Sequence, residues 1–544
     1  MPSATATETS ETATTNRPPL KVVFLHMDLG IGGAEQLVLQ LASASHNLGH
    51  EVLLLTTRCD ADHCFASVKP PHGSLYSRLR IVGNWIPPNI LGLGGTALCS
   101  NLRVLYLALW LIINNIIGRV DVDLVVLDVL PSPLWLLRHL APRISLLFYC
   151  HFPDKLLLRQ KNSGIDNNNN KSFYRKTMDA LEDACMPLAD LILVNSKFTR
   201  ETVLREFSSL QQQEQEQHEQ QEEGEETNNN PLQILYPALD TAAMDSKLEL
   251  EGKNEAENGS STSLENEKDN DNHDEIITIV SLNRYERKKK IELLLYAYAS
   301  IREHCLNNNI DINEQPKKVQ LIIAGGYDTK NVENVEYMGE LQKIAYEELR
   351  LTPRKEVQFL TSVSDAQRTH LLQSARCVVY TPPNEHFGIV PLEVMYAETP
   401  VIACNSGGPL ETVVDGVTGF LREPTPQAFG PAMLTLIQNP QMAKQMGKAG
   451  RRHVIEKFGP AVLTQQWNEK TQEACRKGRE RQRQQAVLLR RRPMIVTVML
   501  YGLEALIVFF CCILLTYILR QMGILEPEES IVGSFRRQIK NDEL

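Results

Sequence analysis

Two glutamates eight positions apart stand in the string Pro382-Pro383-Asn384-Glu385-His386-Phe387-Gly388-Ile389-Val390-Pro391-Leu392-Glu393. Glu385 falls in a loop after an apolar run, Gly388 lets a ligand approach the backbone, and Glu393 falls in the helix that follows. One carboxylate there can hold sugar hydroxyls and the other ribose hydroxyls. Helix-end N–H groups between them would face a diphosphate. The spacing alone is a weak signal; the loop-to-helix context carries it. A second string, Asn283-Arg284-Tyr285-Glu286-Arg287-Lys288-Lys289-Lys290-Ile291, gathers cations directly after a strand-like run and at the opening of a helix. Such cations can neutralise a leaving diphosphate. Lys and Arg are disfavoured at helix N-termini by the dipole, which argues for a function over a solvated basic face. In Tyr149-Cys150-His151-Phe152-Pro153-Asp154 a histidine ends a strand. A lone histidine is usually structural, but one at a strand's carboxyl end is a candidate for a sugar or transition-state contact. Two glycine turns complete the inventory, Gly30 to Glu35 and Ser406 to Glu411. The first is neither a dinucleotide fingerprint nor a P-loop, so a plain tight turn and a ligand cradle are equally open readings of it.

These residues need a frame that brings strand ends together. Apolar runs at Leu20–Leu25, His50–Thr56, Val122–Asp128, Ile144–His151 and Leu191–Asn195 alternate with helical patterns, and the alternation resumes at Ile276–Leu282, Val319–Ala324, Val357–Leu360, Cys377–Thr381 and Pro400–Cys404. The pattern predicts an α/β chain of two Rossmann-like, doubly wound domains facing a crevice. The expected boundaries are an N-terminal acceptor domain over 20–240, an acidic insert over 241–275 and a nucleotide-sugar domain with a return helix over 276–475. The change of domain falls near Tyr236-Pro237-Ala238. A crevice between two such halves is where a ligand binds.

Charge and hydropathy divide the rest. The chain of 544 residues carries −10, but Gln211–Asn230 and Ser246–Glu275 together carry −14, leaving +4 on the remainder. The acidity belongs to polar insertions (208–230, 241–275, and the Asn167–Asn170 run), which read as solvated loops, and no acidic-partner or nucleic-acid surface follows from it. Eleven cysteines show neither CxxC pairs nor zinc spacing, so no metal centre is predicted and a reducing compartment is. Residues 1–19 are a polar tail without a signal-peptide core. Met494–Leu519 is long enough for one transmembrane helix, roughly 20 residues being required. Glu504 within it is costly when ionised and is left without a role. Leu102–Ile117, with Arg103 inside it, is read as either a core helix or one lying on a membrane surface. The basic segment 476–493 before the span is denser in Arg and Lys than the tail 520–544 after it, which predicts cytosolic domains and a luminal tail. That tail ends Asn541-Asp542-Glu543-Leu544, similar to an endoplasmic-reticulum retrieval signal.

Read together with Asp62-His63-Cys64-Phe65, Leu193 to Ser196 with Phe198-Thr199, Ala324 to Asp328 and Asn331 to Glu336, these strings resemble one family. It is the retaining, metal-independent GT-B glycosyltransferases with a Glu-x7-Glu motif, and within them the GDP-mannose-dependent alpha-1,3/1,6-mannosyltransferases of dolichol-linked N-glycan precursor assembly. The resemblance spans about Leu20 to Phe458, less the polar inserts. It implies GDP-mannose as donor, a mannosyl-chitobiosyl-diphosphodolichol acceptor, the endoplasmic-reticulum membrane as setting, other transferases of the pathway as neighbours, and no cofactor or metal. It implies diphosphate binding by Arg284 and Lys289, a mannose contact at Glu385, a ribose contact at Glu393 and a contact to the reacting sugar at His151. Gly32, Gly33, Gly325, Gly326, Gly388, Ile389 and Val390 would complete the donor site. Front-face substitution, with the leaving phosphate helping to deprotonate the acceptor, is the implied chemistry. Lys155 departs from the family's apolar preference, and the long inserts and the tail lie outside its shared pattern. A same-fold transferase with another nucleotide sugar and lipid acceptor, such as a phosphatidylinositol-directed N-acetylglucosaminyltransferase, and an inactive membrane scaffold are the competing readings.

Overall fold

The computed structural model describes residues 18–89, 96–156, 173–222, 230–246, 276–307 and 319–491. The expected span 494–519, the luminal tail 520–544, most of the 241–275 insert, the Asn167–Asn170 run and residues 1–17 lie outside these.

The first sheet holds β1 (Lys21–Leu25), β2 (Glu51–Thr56), β3 (Leu79–Ile81), β4 (Leu124–Asp128), β5 (Ser145–Cys150), β6 (Leu191–Val194) and β7 (Leu232–Ile234). All pairs are parallel, in the order β3-β2-β1-β4-β5-β6-β7. The second sheet holds β8 (Ile277–Leu282), β9 (Val319–Gly325), β10 (Val357–Thr361), β11 (Cys377–Tyr380), β12 (Val401–Cys404) and β13 (Gly419–Arg422), again parallel, in the order β10-β9-β8-β11-β12-β13. Every residue of β4, β5, β6, β11 and β12 is buried. Sheets covered on both faces select such unbroken apolar runs, which is why the runs announced them. The edge strands β3, β7 and β13 have three or four residues and partly exposed faces, too short and too mixed for the pattern to reveal.

Helices that cover the first sheet and bear on the argument are α1 (Gly33–Asn47), α2 (Thr96–Ile116), α3 (Pro133–Leu140), α4 (Phe173–Cys185), α5 (Lys197–Glu206) and α6 (Ser208–Glu222). The second sheet has α7 (Glu292–Asn307), α8 (Val332–Lys343), α9 (Asp365–Ser374), α10 (Ile389–Tyr396), α11 (Pro409–Thr412), α12 (Pro426–Gln438) and α13 (Pro440–Phe458). The last helix, α14 (Pro460–Arg491), returns to the first domain. Its Trp467 is fully buried there, 6.1 Å from the Phe24 ring, with its indole N–H donated to Ser45 Oγ at 2.7 Å.

Three expectations change. The polar insert begins as the helix α6, not a loop, since Gln and Glu are good helix formers, and Leu210 at its start is buried. The basic segment begins inside α14. Lys477 donates to the Asn230 carbonyl at 2.8 Å, and Arg481 pairs with Asp190 at 2.7 and 3.0 Å, so these two cations hold the helix to the first domain. Finally, the cations at 284–290 precede the helix. Arg287–Lys289 form one 3-10 turn, Lys290 is left-handed with φ 51°, and α7 opens on Glu292. An acidic residue in the first turn agrees with the dipole, and the conflict inferred from the sequence disappears.

In α2 the core side is Val104, Leu107, Ala108, Leu111 and Ile112. The opposite side, Leu102, Leu105, Leu109 and Ile113, is half-buried, and Ile116 is exposed. By length and composition α2 could cross a membrane, but one whole face belongs to the core.

Candidate active site

In each sheet the strand order reverses at one point, between β1 and β4 in the first and between β8 and β11 in the second. Loops diverge there and leave a ligand crevice. Four of the chemistry-bearing segments leave from these two points: the glycine turn after β1, Asp128 at the end of β4, the cationic loop after β8 and the Glu385 loop after β11.

At the first point Asp128 and His26 are 4% and 3% exposed. His26 Nδ1 lies 2.8 and 2.9 Å from the two Asp128 oxygens, and Nε2 lies 2.9 Å from the Asp28 carbonyl. A carbonyl only accepts, so Nε2 carries a proton, and Nδ1 faces a carboxylate. With both nitrogens donating, the ring is an imidazolium. Burial by itself lowers the His26 pKa, but the charge and hydrogen bond of Asp128 overcome it and raise the value to about 10. Asp128 is drawn down to about 2: burial opposes its ionisation, and His26 and His151 more than reverse this. Glu35, in the first turn of α1, approaches His26 Nε2 to 3.9 Å and is lowered chiefly by that contact. Its carboxylate folds back over Gly32, while Gly33 faces open space. Arg103, the charge inside the apolar α2, is buried because Asp28 of the same turn accepts from it at 2.8 Å.

His151 follows β5 and donates Nε2–H to Asp128 at 3.1 Å. Its carbonyl accepts from Asn195 Nδ2 at 3.0 Å. The next residues are anchored by Glu182 of α4, which accepts the N–H groups of Asp154 and Lys155 at 2.9 and 3.0 Å. Burial raises Glu182 to about 7, against those two bonds. Lys155, the departure from the family pattern, is buried with its ammonium on Asp183 at 2.6 Å, the Glu206 carbonyl at 2.7 Å and the Phe207 ring at 3.7 Å.

At the second point Lys289 is ion-paired with Glu385, and Tyr380 donates to the same carboxylate oxygen at 3.2 Å. Burial alone would raise the Glu385 pKa; the Lys289 ammonium holds it below the usual carboxylate range. The cationic loop therefore sorts itself. Lys289 turns inward, Arg287 is held by Glu336 and Glu340 of α8, Lys288 by Glu286, and Arg284 is largely exposed, 3.6 Å from Glu286. Gly325 ends β9 against the Asn283 carbonyl, where a Cβ would clash at 1.7 Å; Gly326 borders Arg284. Gly388 has φ 80° and is the N-cap of α10, so Ile389 and Val390 present the helix's first N–H groups. Glu393, one turn on, is gripped by both terminal nitrogens of Arg368 from α9, one bond measuring 3.0 Å.

The two walls touch through the neighbours of the candidate residues. The rings of Phe152 and His386 stack with centroids 3.6 Å apart and 7° between planes, and burial keeps the His386 ring neutral, down to about 4. Sequence reasoning missed His26, Asp128, Tyr380 and Arg368. Asp128 and Tyr380 had a signal, a polar group closing an apolar run. Arg368 had none, since it lies on an otherwise ordinary surface helix.

Profiles of two families match, Glycosyltransferase Family 4 over residues 31–209 and Glycosyl transferases group 1 over residues 263–453. Among curated relatives, the alpha-1,3/1,6-mannosyltransferase ALG2 of Homo sapiens is 38% identical over 451 residues, covering 82% of this chain and 95% of its own. The alpha-1,3/1,6-mannosyltransferase ALG2 of Dictyostelium discoideum is 36% identical over 451 residues, covering 82% of this chain and 97% of its own. Among solved structures, sucrose-phosphate synthase from Thermosynechococcus elongatus superposes with a TM-score of 0.52 at 18% identity, over 83% of this chain and 98% of its own. HepE from Anabaena in complex with UDP and glucose gives the same score and identity, over 83% and 99%. These establish a GT-B fold of two parallel-sheet Rossmann-like domains.

Proposed function

The chain belongs to the family of alpha-1,3/1,6-mannosyltransferases of N-glycan precursor synthesis, and from that premise we propose that GDP-mannose is its donor and a dolichol-diphosphate-linked oligosaccharide its acceptor. Two mannoses are transferred in turn, first alpha-1,3 and then alpha-1,6, with retention. The observation that carries the residue assignment is the contact between the two walls, where Phe152 stacks on His386 and Ser196 bonds the His386 carbonyl, with the Lys289–Glu385 pair beside it on one wall and the Asp128-anchored His151 on the other.

In this reading Lys289 and Arg284 neutralise the charge that grows on the leaving diphosphate, the part a metal plays in other transferases. The inward Lys289 is placed by the 3-10 turn, and the exposed Arg284 is free to fold over the phosphates. Gly325 and Gly326 shape the loop that carries them, and the N–H groups of Ile389 and Val390 face the same diphosphate. Glu385 accepts hydroxyls of the mannose, its ionised state supported by Lys289. Glu393 exchanges Arg368 for the ribose hydroxyls. Gly32 and Gly33 form the opposite wall, and His151 contacts the reacting sugar through the ring nitrogen not given to Asp128. The acceptor hydroxyl attacks from the face the diphosphate leaves, and the departing phosphate oxygen takes its proton.

The setting is the endoplasmic-reticulum membrane, with one C-terminal span over 494–519, cytosolic domains and a luminal tail. The denser Lys and Arg content of 476–493 than of 520–544 supports this orientation, and the apolar outer stripe of α2 fits a bilayer surface. The test is full-length protein in detergent with GDP-mannose and a short-chain mannosyl-chitobiosyl-diphospholipid, read by mass and by linkage-specific mannosidases. Two successive hexose additions that vanish in Glu385→Ala are expected. Transfer from UDP-N-acetylglucosamine to phosphatidylinositol instead would overturn the donor and acceptor assignment.

A further inference from the structure

The second glycine turn carries a carboxylate across the domain boundary. α5 begins at Lys197, and a helix start leaves N–H groups without intrahelical acceptors. Ser196 accepts Thr199 N–H at 3.0 Å. The N–H groups of Lys197 and Phe198 go to Glu411 of the other domain, at 2.8 and 3.1 Å. Tyr236, on the linker between domains, donates its hydroxyl to the same carboxylate at 2.9 Å. Three donors and the positive end of a ten-residue helix thus hold one carboxylate supplied by the other domain.

The clasp is wired to the site. Gly408, at the head of Glu411's helix α11, donates its N–H to the Glu385 carbonyl at 2.7 Å, and Glu411 N–H returns to the Gly408 carbonyl at 2.8 Å. On the other side, Ser196 Oγ donates to the His386 carbonyl at 2.5 Å, and Asn195, its neighbour, holds the His151 carbonyl. One helix start therefore touches both the loop bearing Glu385 and the loop bearing His151. The Phe152–His386 stack packs across the boundary beside these bonds, but the side on which Glu411 lies is open. A cleft of about 770 Å³ opens between the domains here, bordered by Lys197, Phe198, Tyr236, Leu410, Glu411 and Phe458. Each domain also has its own apolar core, to which Glu411 does not belong.

We infer that Glu411 is a positioning residue: it clasps α5 across the domain boundary and fixes the spacing between the Glu385 and His151 loops in which mannosyl transfer occurs. The inference rests on the mannosyl-transfer reading of that crevice. It does not give Glu411 any contact with substrate.

The test uses the full chain with Glu411→Gln, which keeps the shape but turns an amide N–H₂ toward one backbone donor. The expected result is a fall in kcat of roughly 10- to 100-fold, the range for a small misplacement of reacting groups. KM for GDP-mannose changes little, because the donor's assigned phosphate and sugar contacts lie mainly in one domain. The unfolding midpoint stays with the parent protein, and the distance distribution between spin labels placed one on each domain broadens. Tyr236→Phe, which removes one of three donors, gives a smaller change in the same direction. A Glu411→Gln protein with parental kcat and parental distance distribution overturns the inference. So does a kcat loss that follows a lowered midpoint with unchanged distances. If Glu411→Gln fails to fold, Tyr236→Phe and Ser196→Ala decide by the same two readouts. Absence of mannosyl transfer by the parent enzyme would instead sink the reading of the crevice, and the distance measurement would still judge the clasp.

Discussion

Asp128→Asn keeps a buried shape and removes its charge. The carboxylate receives His26 at 2.8 and 2.9 Å and His151 at 3.1 Å, and both Asp128 and His26 are buried. An asparagine oxygen still accepts, but the buried His26 imidazolium keeps only the more distant Glu35 carboxylate as a counter-charge or loses its proton. Removing one side of a buried ion pair costs about 3–5 kcal/mol. The displacement of His26 from 6.5 to about 10 corresponds to about 4 kcal/mol at neutral pH by linkage, a figure that overlaps the ion-pair cost and includes the lesser contribution of Glu35. At about 2–4 °C per kcal/mol, the first domain should unfold roughly 6–20 °C lower. The pH dependence has a definite sign. The folded pKa of His26 is raised, so its contribution is complete below the unfolded value of 6.5 and is lost as pH climbs through about 10. That of Asp128 is depressed, so its share is present above 3.8 and is lost as pH falls through about 2. The assay is thermal unfolding of both full-length proteins between pH 6 and 10. The midpoints should converge as the parent loses the His26 contribution. Parallel curves across the range, or midpoints within about 2 °C at pH 7, would refute the ion-pair assignment.

Lys289→Ala leaves the half-buried Glu385 without its ammonium. Its kcat should drop about 10²–10³-fold, and the acidic limb of its pH–rate profile should move upward, because burial then raises the Glu385 pKa against the weaker opposition of the Tyr380 hydrogen bond. Glu393→Ala should act on binding, raising KM for GDP-mannose about tenfold with a lesser effect on kcat, as initial rates against donor concentration will show. At Lys155, methionine should be tolerated within about 1 kcal/mol, since Asp183 stays half-exposed, whereas alanine leaves a cavity and costs about 2–3 kcal/mol; urea titration separates the two. Asn170 and Asn258 stand in glycosylation sequons. Cytosolic domains predict that neither is modified in cells, and an endoglycosidase-sensitive mass shift at Asn258 would reverse the proposed orientation.

Much of this protein was legible from local rules. Unbroken apolar runs marked ten of the thirteen strands because buried parallel strands need no polar face. Gly388 stood out as a point of close backbone approach before a helix, and Glu385 and Lys289 were identifiable from their places after strands; the left-handed φ of Gly388 came with the structure. Local rules misjudged the cationic loop, which ends before its helix, and the Gln/Glu-rich insert, which starts as one. Tertiary structure alone decided the partnerships. His26 and Asp128 are 102 residues apart and meet because β4, not β3, lies beside β1. Lys289 finds Glu385 across 96 residues, and Glu411 finds Lys197 across 214. The physical reason is that helix and strand follow from interactions within a few residues, each visible in the string. Which charge neutralises which depends on the order in which strands pair, and that order is set by burial of both sheet faces at once, a property of the whole chain.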